Sequence, residues 1–250
     1  MNIGLIGTGN IGGCLARKLS GTGHRVLLAN SRGPDSLLGL AAEIGATAVV
    51  VTDLARKCDV VILSVPMKSI LELSAHLFDD ASGNLIIVDT CNYIPMRDGR
   101  IEPLENGLAE SRWVEQRLGR PVVKAFNNIG ADSLANDGHP KGSRERFALP
   151  VAGDDKRAKD IVVDLIEEIG FDGFDASGLD ESWRQQPGSP AFCTNLEASR
   201  LAAVLQRLDE VDRARLPELR DAVLQKFMQL PNTPVTRDTV LLIFRSLAGL

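Results

Sequence analysis

Residues Ile3-Gly4-Leu5-Ile6-Gly7-Thr8-Gly9-Asn10-Ile11-Gly12 form an apolar run that breaks into three glycines spaced GxGxxG. The run continues through Leu15, Ala16 and Leu19 at helical intervals. Such a segment reads as a strand, a tight turn and a helix. Gly7 permits the turn, Gly9 lets backbone N–H groups approach a diphosphate, and Gly12 lets the helix pack closely on the strand. The helix N-terminus, with unpaired N–H groups and a positive dipole end, favours an anion there without any basic side chain. The pattern therefore predicts a dinucleotide site built by Gly7, Thr8, Gly9, Asn10, Ile11 and Gly12.

About twenty residues further on, His24 to Ala29 reads as the next strand and ends in Asn30-Ser31-Arg32-Gly33-Pro34. A carboxylate at this position binds the ribose 2′-hydroxyl of NAD, and none is present. Asn30 and Ser31 offer neutral hydrogen bonds, while Arg32 offers a guanidinium that can fork onto a phosphate and stack on adenine. This combination selects NADP(H); the plainer alternative is that Arg32 is a solvated loop charge.

Working outward, the chain has 250 residues, enough for one large domain or a domain with an appendage, and a net charge of −5. That charge argues against nucleic acid or an anionic membrane as the main partner. The four cysteines, Cys14, Cys58, Cys91 and Cys193, lack CxxC spacing, and only three histidines accompany them, so no metal site is expected. They read as reduced and mostly buried. The first strand begins at once, leaving no room for a signal peptide, and no apolar run approaches about twenty residues, so a cytoplasmic protein is expected.

After the first two strands the alternation continues. A helix carries Leu37, Leu40, Ala41 and Ile44 and ends at Gly45. A buried strand covers Ala46 to Val51, and Asp53 caps a short helix. Asp59 to Pro66 is a solid apolar strand of the kind found in sheets covered on both faces. A helix over Lys68 to Phe78, a strand over Asn84 to Val88, a helix around Leu108 to Leu118 and a strand over Pro121 to Phe126 follow. The result is an α/β, doubly wound Rossmann parallel sheet. Ala131 to Arg146 is polar and reads as a mobile surface loop. Strand Phe147 to Ala152, helix Ala158 to Ile169 and strand Phe171 to Asp175 close a first domain, residues 1–179, which binds NADP. Residues 180–250 change period and form a C-terminal α-helical extension, with helices Glu197 to Arg213 and Leu216 to Leu230, a break at Pro231-Asn232-Thr233-Pro234, and an apolar segment Val240 to Leu250. That last segment is too apolar to lie free in water; docking on its own domain and packing across a two-fold homodimer both satisfy it, and the dimer is the expectation chosen.

Ligands of such sheets sit outside the carboxyl ends of the strands. Besides the glycine turn and Asn30 to Arg32, those ends are Ser64-Val65-Pro66-Met67-Lys68, Asp89-Thr90-Cys91-Asn92-Tyr93, and Lys124-Ala125-Phe126-Asn127-Asn128-Ile129. The last three hold most of the polar residues able to surround a nicotinamide, although Asp89, Thr90, Asn127 and Asn128 can equally be turn formers.

With these residues in view, the chain resembles the NADPH-dependent reductases of the deazaflavin coenzyme F-420 (F420), that is, F420:NADP oxidoreductase and its bacterial relatives. The resemblance covers about residues 1–180. It rests on the glycine turn, Asn30-Ser31-Arg32, Val123 to Ile129, Val151-Ala152-Gly153-Asp154-Asp155 and Asp175-Ala176-Ser177-Gly178-Leu179. The same domain type looks like the cytosolic part of six-transmembrane metalloreductases, whose membrane part is missing here. The resemblance implies NADPH held by Thr8, Asn10, Ile11, Ser31 and Arg32, with Pro66 and Met67 near the nicotinamide and Asn127 to Ile129 beside a second ring system. Two departures bear on the acceptor: about seventy residues follow the Asp-Ala-Ser-Gly-Leu segment, and Asn127 stands where the archaeal pattern suggests a histidine.

The expected function is hydride transfer between NADPH and a flavin-like small molecule such as coenzyme F420. Cofactor contacts are expected from Gly7 to Gly12, Asn30 to Arg32, Ser64, Val65, Pro66, Met67, Lys68, Ala125, Asn127 and Ile129. No certain catalytic residue is assigned, because stacked rings need positioning rather than a nucleophile, and Pro66, Asn127 and Asn128 supply that positioning. The alternatives are a dehydrogenase or imine reductase acting on a small carbonyl or imine, with Lys68, Lys124 or Tyr93 as proton donor, and a non-catalytic NADP(H)-binding sensor.

Overall fold

In the computed structural model, which describes residues 1–228 and 236–249, strands and helices alternate through the first half of the chain. The elements are β1 (Asn2–Ile6), α1 (Asn10–Gly21), β2 (Arg25–Ala29), a 3-10 turn (Pro34–Leu37), α2 (Leu38–Ile44), β3 (Thr47–Ala48), α3 (Val51–Lys57) and β4 (Val60–Leu63). They continue with α4 (Met67–Ile70), β5 (Ile86–Asp89), α5 (Pro95–Asp98), α6 (Glu102–Glu105), α7 (Glu110–Leu118) and β6 (Val123–Lys124). The strands form a parallel six-stranded sheet in the order β3-β2-β1-β4-β5-β6, so strand order reverses between β1 and β4. The period of two is visible along β2, where Val26 and Leu28 join the core on one face and Leu27 and Ala29 the core on the other. β4 is buried at every position because helices cover both faces.

After β6 come α8 (Ala131–Asn136), β7 (Ala148–Val151), α9 (Lys156–Glu168) and β8 (Asp172–Asp175). β7 and β8 pair parallel as a second small sheet, tied to β6 by an antiparallel bridge between Lys124 and Ala152 whose two N–H···O bonds measure 2.8 and 3.0 Å. The Asp155 carboxylate caps α9, accepting from the Ala158 N–H at 3.1 Å. The C-terminal extension holds a 3-10 helix (Leu179–Gln185), α10 (Ala198–Arg207), α11 (Glu210–Met228) and α12 (Arg237–Ala248).

Five expectations differ from what forms. The strand expected over Ala46 to Val51 shortens to β3 at the sheet edge: Thr47 and Ala48 pair with β2, the Val49 N–H adds one bond to the Leu28 carbonyl, and α3 begins at Val51. Asp53 does not cap the helix that follows: Val50 occupies the cap position and Asp53 lies inside α3. The helix expected over Lys68 to Phe78 stops at Ile70. Turns follow, in which Leu71, Glu72 and Leu73 bond three residues back and the Ser74 hydroxyl takes the His76 N–H. The segment Ala131 to Arg146 is not a free loop. Leu134 is fully buried in α8, and the buried Arg146 guanidinium binds the carbonyls of His139 and Phe171 and the carboxylates of Glu167 and Asp172. Finally, the helix expected from Glu197 to Arg213 breaks after Arg207, where Asp209 accepts from the N–H groups of Val211 and Asp212 and starts α11.

The extension packs on its own chain. Phe244 of α12 stacks edge-on with Phe192 at 5.2 Å, Arg245 binds the carbonyls of Thr194 and Asn195, and Arg237 pairs with Asp137 at 2.9 Å. Val240 and Ile243 pack partly against the same cluster, while Leu242 is 71% exposed. The expected break at Pro231 to Pro234, together with Leu230 and Leu250, lies outside the described residues.

Candidate active site

The turn after β1 fixes the site. Gly7 has φ +94°, a left-handed conformation that favours glycine, and a methyl added there would strike the Ser64 carbonyl and stand 2.8 Å from a Val65 methyl. A methyl on Gly12 would strike the Gly7 carbonyl. Gly9 is different: a methyl there meets nothing within 4 Å. Two of the glycines are thus required by the protein's own packing, and the third opens onto empty space at the N-terminus of α1. That helix has no side-chain cap and no acidic residue in its first turn, so its end is left electropositive.

This empty space belongs to a cavity of about 480 Å³ running across the carboxyl ends of β2, β1 and β4. Gly7, Thr8 and Gly9 form its floor, Asn30, Ser31 and Arg32 one end, and Val65 and Pro66 the other. The Arg32 side chain is exposed and makes no ion pair among the described residues. Asn30, by contrast, is used by the turn itself: its Nδ2 donates to Ser36 Oγ and its Oδ1 accepts from the Arg32 N–H, both at 2.9 Å. Asn10 is exposed and Ile11 half-buried on the first turn of α1. The broken helix after Ile70 contributes Ser69, Glu72, Leu73 and Ser74 to the far wall, and Val51 and Thr52 come from the start of α3. Glu72, Leu73 and Ser74 were missed because their approach depends on a helix failing where its pattern said it should continue. Glu72 is the acidic residue of the lining, and it stands on this wall rather than in the turn after β2.

The remaining expected residues separate by burial. Ser64 is half-buried and Lys68 exposed, but Met67 is fully buried in the core, so only its backbone faces the strand end. Ala125, Ile129 and Asn127 are 0, 3 and 3% exposed, and none lines the cavity. Asn127 is enclosed by the extension: its Nδ2 donates to the Gln185 carbonyl at 2.7 Å and its Oδ1 accepts from Gln185 Nε2 at 2.9 Å. Asn128 Nδ2 reaches the Ala191 carbonyl at 3.4 Å.

Beneath these amides lies a sealed ionic cluster. Lys124 and Asp89 are both fully buried, 3.2 Å apart, with Glu110 Oε2 3.6 Å from the ammonium and Ser111 Oγ donating to Asp89 at 2.6 Å. Burial works against the Lys124 charge, but Asp89 and then Glu110 outweigh it and hold its pKa above the ordinary value. Burial pushes the Glu110 carboxyl up to about 7. The Tyr93 hydroxyl, pushed up to about 12 by burial and by Glu105, donates to that carboxylate at 2.7 Å. Lys124 and Tyr93 are therefore structural groups, closed to any substrate. Trp183 is likewise buried, packed with Leu208 and Leu216 between the guanidiniums of Arg184 and Arg213.

The family described as "NADP oxidoreductase coenzyme F420-dependent" matches residues 2–93, the stretch that builds β1 to β5 and most of the cavity. The Escherichia coli (strain K12) protein YjhV is 36% identical over 122 residues, covering 48% of this chain and 79% of its own. The solved structure of protein SMa0349 from Sinorhizobium meliloti is 34% identical, covers 79% of this chain and 95% of its own, and superposes with a TM-score of 0.67. The chain belongs to the F420-dependent NADP oxidoreductase-like family. It has with that family the Rossmann fold of NADP(H)-binding oxidoreductases. A more distant relative, the F420-dependent NADP reductase of Methanothermobacter thermautotrophicus, is 26% identical over 203 residues, covering 73% of this chain and 83% of its own. No described helix is long and apolar enough to cross a membrane, and no group of three or more His, Cys, Asp or Glu among the described residues could hold a metal ion.

Proposed function

We propose that this protein is an NADPH-dependent reductase that passes a hydride to a flavin-like acceptor of the coenzyme F420 class. The observation that carries the reading is the space above Gly9, which continues to an unpaired Arg32 in a turn that has no carboxylate. NADPH supplies a hydride from C4 of its nicotinamide when bound. Backbone N–H groups of Thr8 to Ile11 would hold the diphosphate, Ser31 and Arg32 the ribose 2′-phosphate, and Ser64 to Met67 the nicotinamide, with Lys68 at the rim. The acceptor would stack beyond them, in the direction of the carboxyl end of β5. Such a transfer needs stacking and exclusion of water rather than a general acid, which agrees with the sealed state of Lys124 and Tyr93. Residues 1–179 form the NADP-binding domain and residues 180–250 complete the acceptor end and support a homodimer.

The test is cofactor choice. A hydrogen bond to a charged group contributes about 1.5–3 kcal/mol, roughly ten- to a hundredfold in affinity. Arg32→Ala should weaken NADPH by that factor in calorimetry and leave NADH nearly unchanged. Wild-type protein that binds both cofactors equally refutes the reading.

A further inference from the structure

Three carboxamides link the C-terminal extension to the ends of β5 and β6. Gln185 Nε2 donates to Asn127 Oδ1 at 2.9 Å and to the Pro150 carbonyl at 3.2 Å, which fixes the rotation of both amides. Asn127 Nδ2 in turn donates to Asn92 Oδ1 at 3.1 Å, and Asn92 Nδ2 donates back to the Asn127 carbonyl at 2.9 Å. Gln185 is fully buried and Asn127 nearly so, but Asn92 is only half-buried.

The position of Asn92 follows from the sheet register. Leu63 of β4 is opposite Asp89 of β5, so Pro66 and Asn92 lie the same number of residues beyond their strands. The nucleotide cavity ends at Pro66, and the next strand end in the direction of β6 is that of Asn92. The other polar side chains there are spent: Asp89 on Ser111, Lys124 and the Cys91 N–H, Thr90 on the Leu63 carbonyl, Tyr93 on Glu105. An amide group has two donor hydrogens and two acceptor lone pairs. Asn92 uses one of each on Asn127, so one N–H and one lone pair of this half-buried side chain have no partner among the described residues.

We infer that Asn92 is the residue that recognises the nicotinamide carboxamide, and that Gln185 and Asn127 are positioning residues that hold it in the correct rotation. The inference rests on the NADPH reading above and assigns to the extension a part in cofactor orientation. A carboxamide of the cofactor, offering one carbonyl and one NH2, complements the free N–H and lone pair of Asn92. Amide buried in this way is retained for orientation, since an apolar side chain at Gln185 would pack without any need for partners.

The experiment compares two ligands by calorimetry: NADPH, and adenosine 2′,5′-bisphosphate, which has the ribose 2′-phosphate and no nicotinamide. Asn92→Ala and Gln185→Ala should each weaken NADPH about fivefold, as expected for one neutral hydrogen bond, and leave the bisphosphate unchanged, which also reports that the fold is intact. Gln185→Glu adds a readout that a packing role does not move: only the protonated acid can donate to Asn127 Oδ1, so NADPH affinity in this variant should fall as pH rises, with wild type flat. Equal weakening of both ligands, or no change in either, overturns the relay. If Gln185→Ala does not fold, the half-exposed Asn92→Ala decides alone. Wild-type protein that binds neither ligand overturns the NADPH reading itself, which separates the two failures.

Discussion

Gly9 and Gly12 are three residues apart in one turn, yet substitution should affect different properties. At Gly9 the backbone has φ −70° and ψ −161°, extended geometry that any residue adopts, and an added methyl meets nothing within 4 Å. Gly9→Val should therefore cost less than about 1 kcal/mol of stability, the scale of a poorer helix N-cap. Its branched side chain fills the space assigned to the diphosphate and blocks charge-assisted hydrogen bonds of about 1.5–3 kcal/mol each. Loss of two is about 3 kcal/mol or more, at least a hundredfold in affinity for either NADPH or NADH. At Gly12 the methyl strikes the Gly7 carbonyl and lies 3.0 Å from Ser64 Cβ. Backbone cannot swing aside as a side-chain tip can, so α1 must lift from β1, where Leu15, Ala16 and Leu19 are fully buried. That places Gly12→Ala near the upper end of the overpacking range, about 3 kcal/mol. Urea denaturation reads the stabilities and calorimetry the affinities. A Gly9→Val protein that binds NADPH normally, or that is as unstable as Gly12→Ala, refutes the division of roles.

Two further outcomes follow from the sealed cluster and from α12. Glu110 is buried with a pKa raised to about 7 against an ordinary 4.5, so the folded state holds a proton that the unfolded state releases between those values. Stability must fall as pH rises through that window, by about 3 kcal/mol, and then level off. Glu110→Gln should abolish this contribution, so the variant gains on wild type between pH 5 and 7.5 in urea denaturation; a constant difference across that range speaks against a protonated Glu110. The homodimer has a simpler reading: light scattering at micromolar concentration should return twice 26.9 kDa, with Leu242 exposed on α12 as the contact to truncate, and a mass of one chain removes the dimer.

The turn after β1 was legible because everything it needs lies within ten residues: the apolar run, the glycine spacing and the start of α1. The same holds for the polar turn at Asn30 to Arg32 and for the all-apolar β4. What the pattern hid was decided by distant partners. Ser69 to Ser74 look helical by composition, but the helix ends at Ile70 and the chain turns along the cavity to bury Leu77 and Phe78 in the core beside the sheet. Arg146 sits in a polar stretch that reads as loop, and three of its four anchors, Glu167, Phe171 and Asp172, are provided by chain outside that stretch. The pairing of Asn127 with Gln185 spans 58 residues, and neither residue carries a local mark of the other. Asp209 was the exception, a helix-start residue in the right place whose signal was outweighed by an unbroken apolar period.

The concentration of polar groups at the ends of β5 and β6 is itself an argument about function. Replacing a buried ion pair by well-packed apolar residues is often neutral or stabilising, and an unsatisfied buried polar atom costs about 1–3 kcal/mol. Yet Asp89, Lys124, Glu110, Asn127, Asn128 and Gln185 are all buried here, and Glu110 Oε2, Asn128 Oδ1 and Gln185 Oε1 have no hydrogen-bond partner. Stability alone selects against such an arrangement. The glycine turn at the other end of the cleft has no such cost, because it binds through backbone and empty space. Side-chain chemistry is instead gathered where the extension meets the sheet, at the end of the cleft where a reductase must hold two rings against each other. On the reading proposed above, that placement would give residues 180–250 a part in the reaction as well as in the fold.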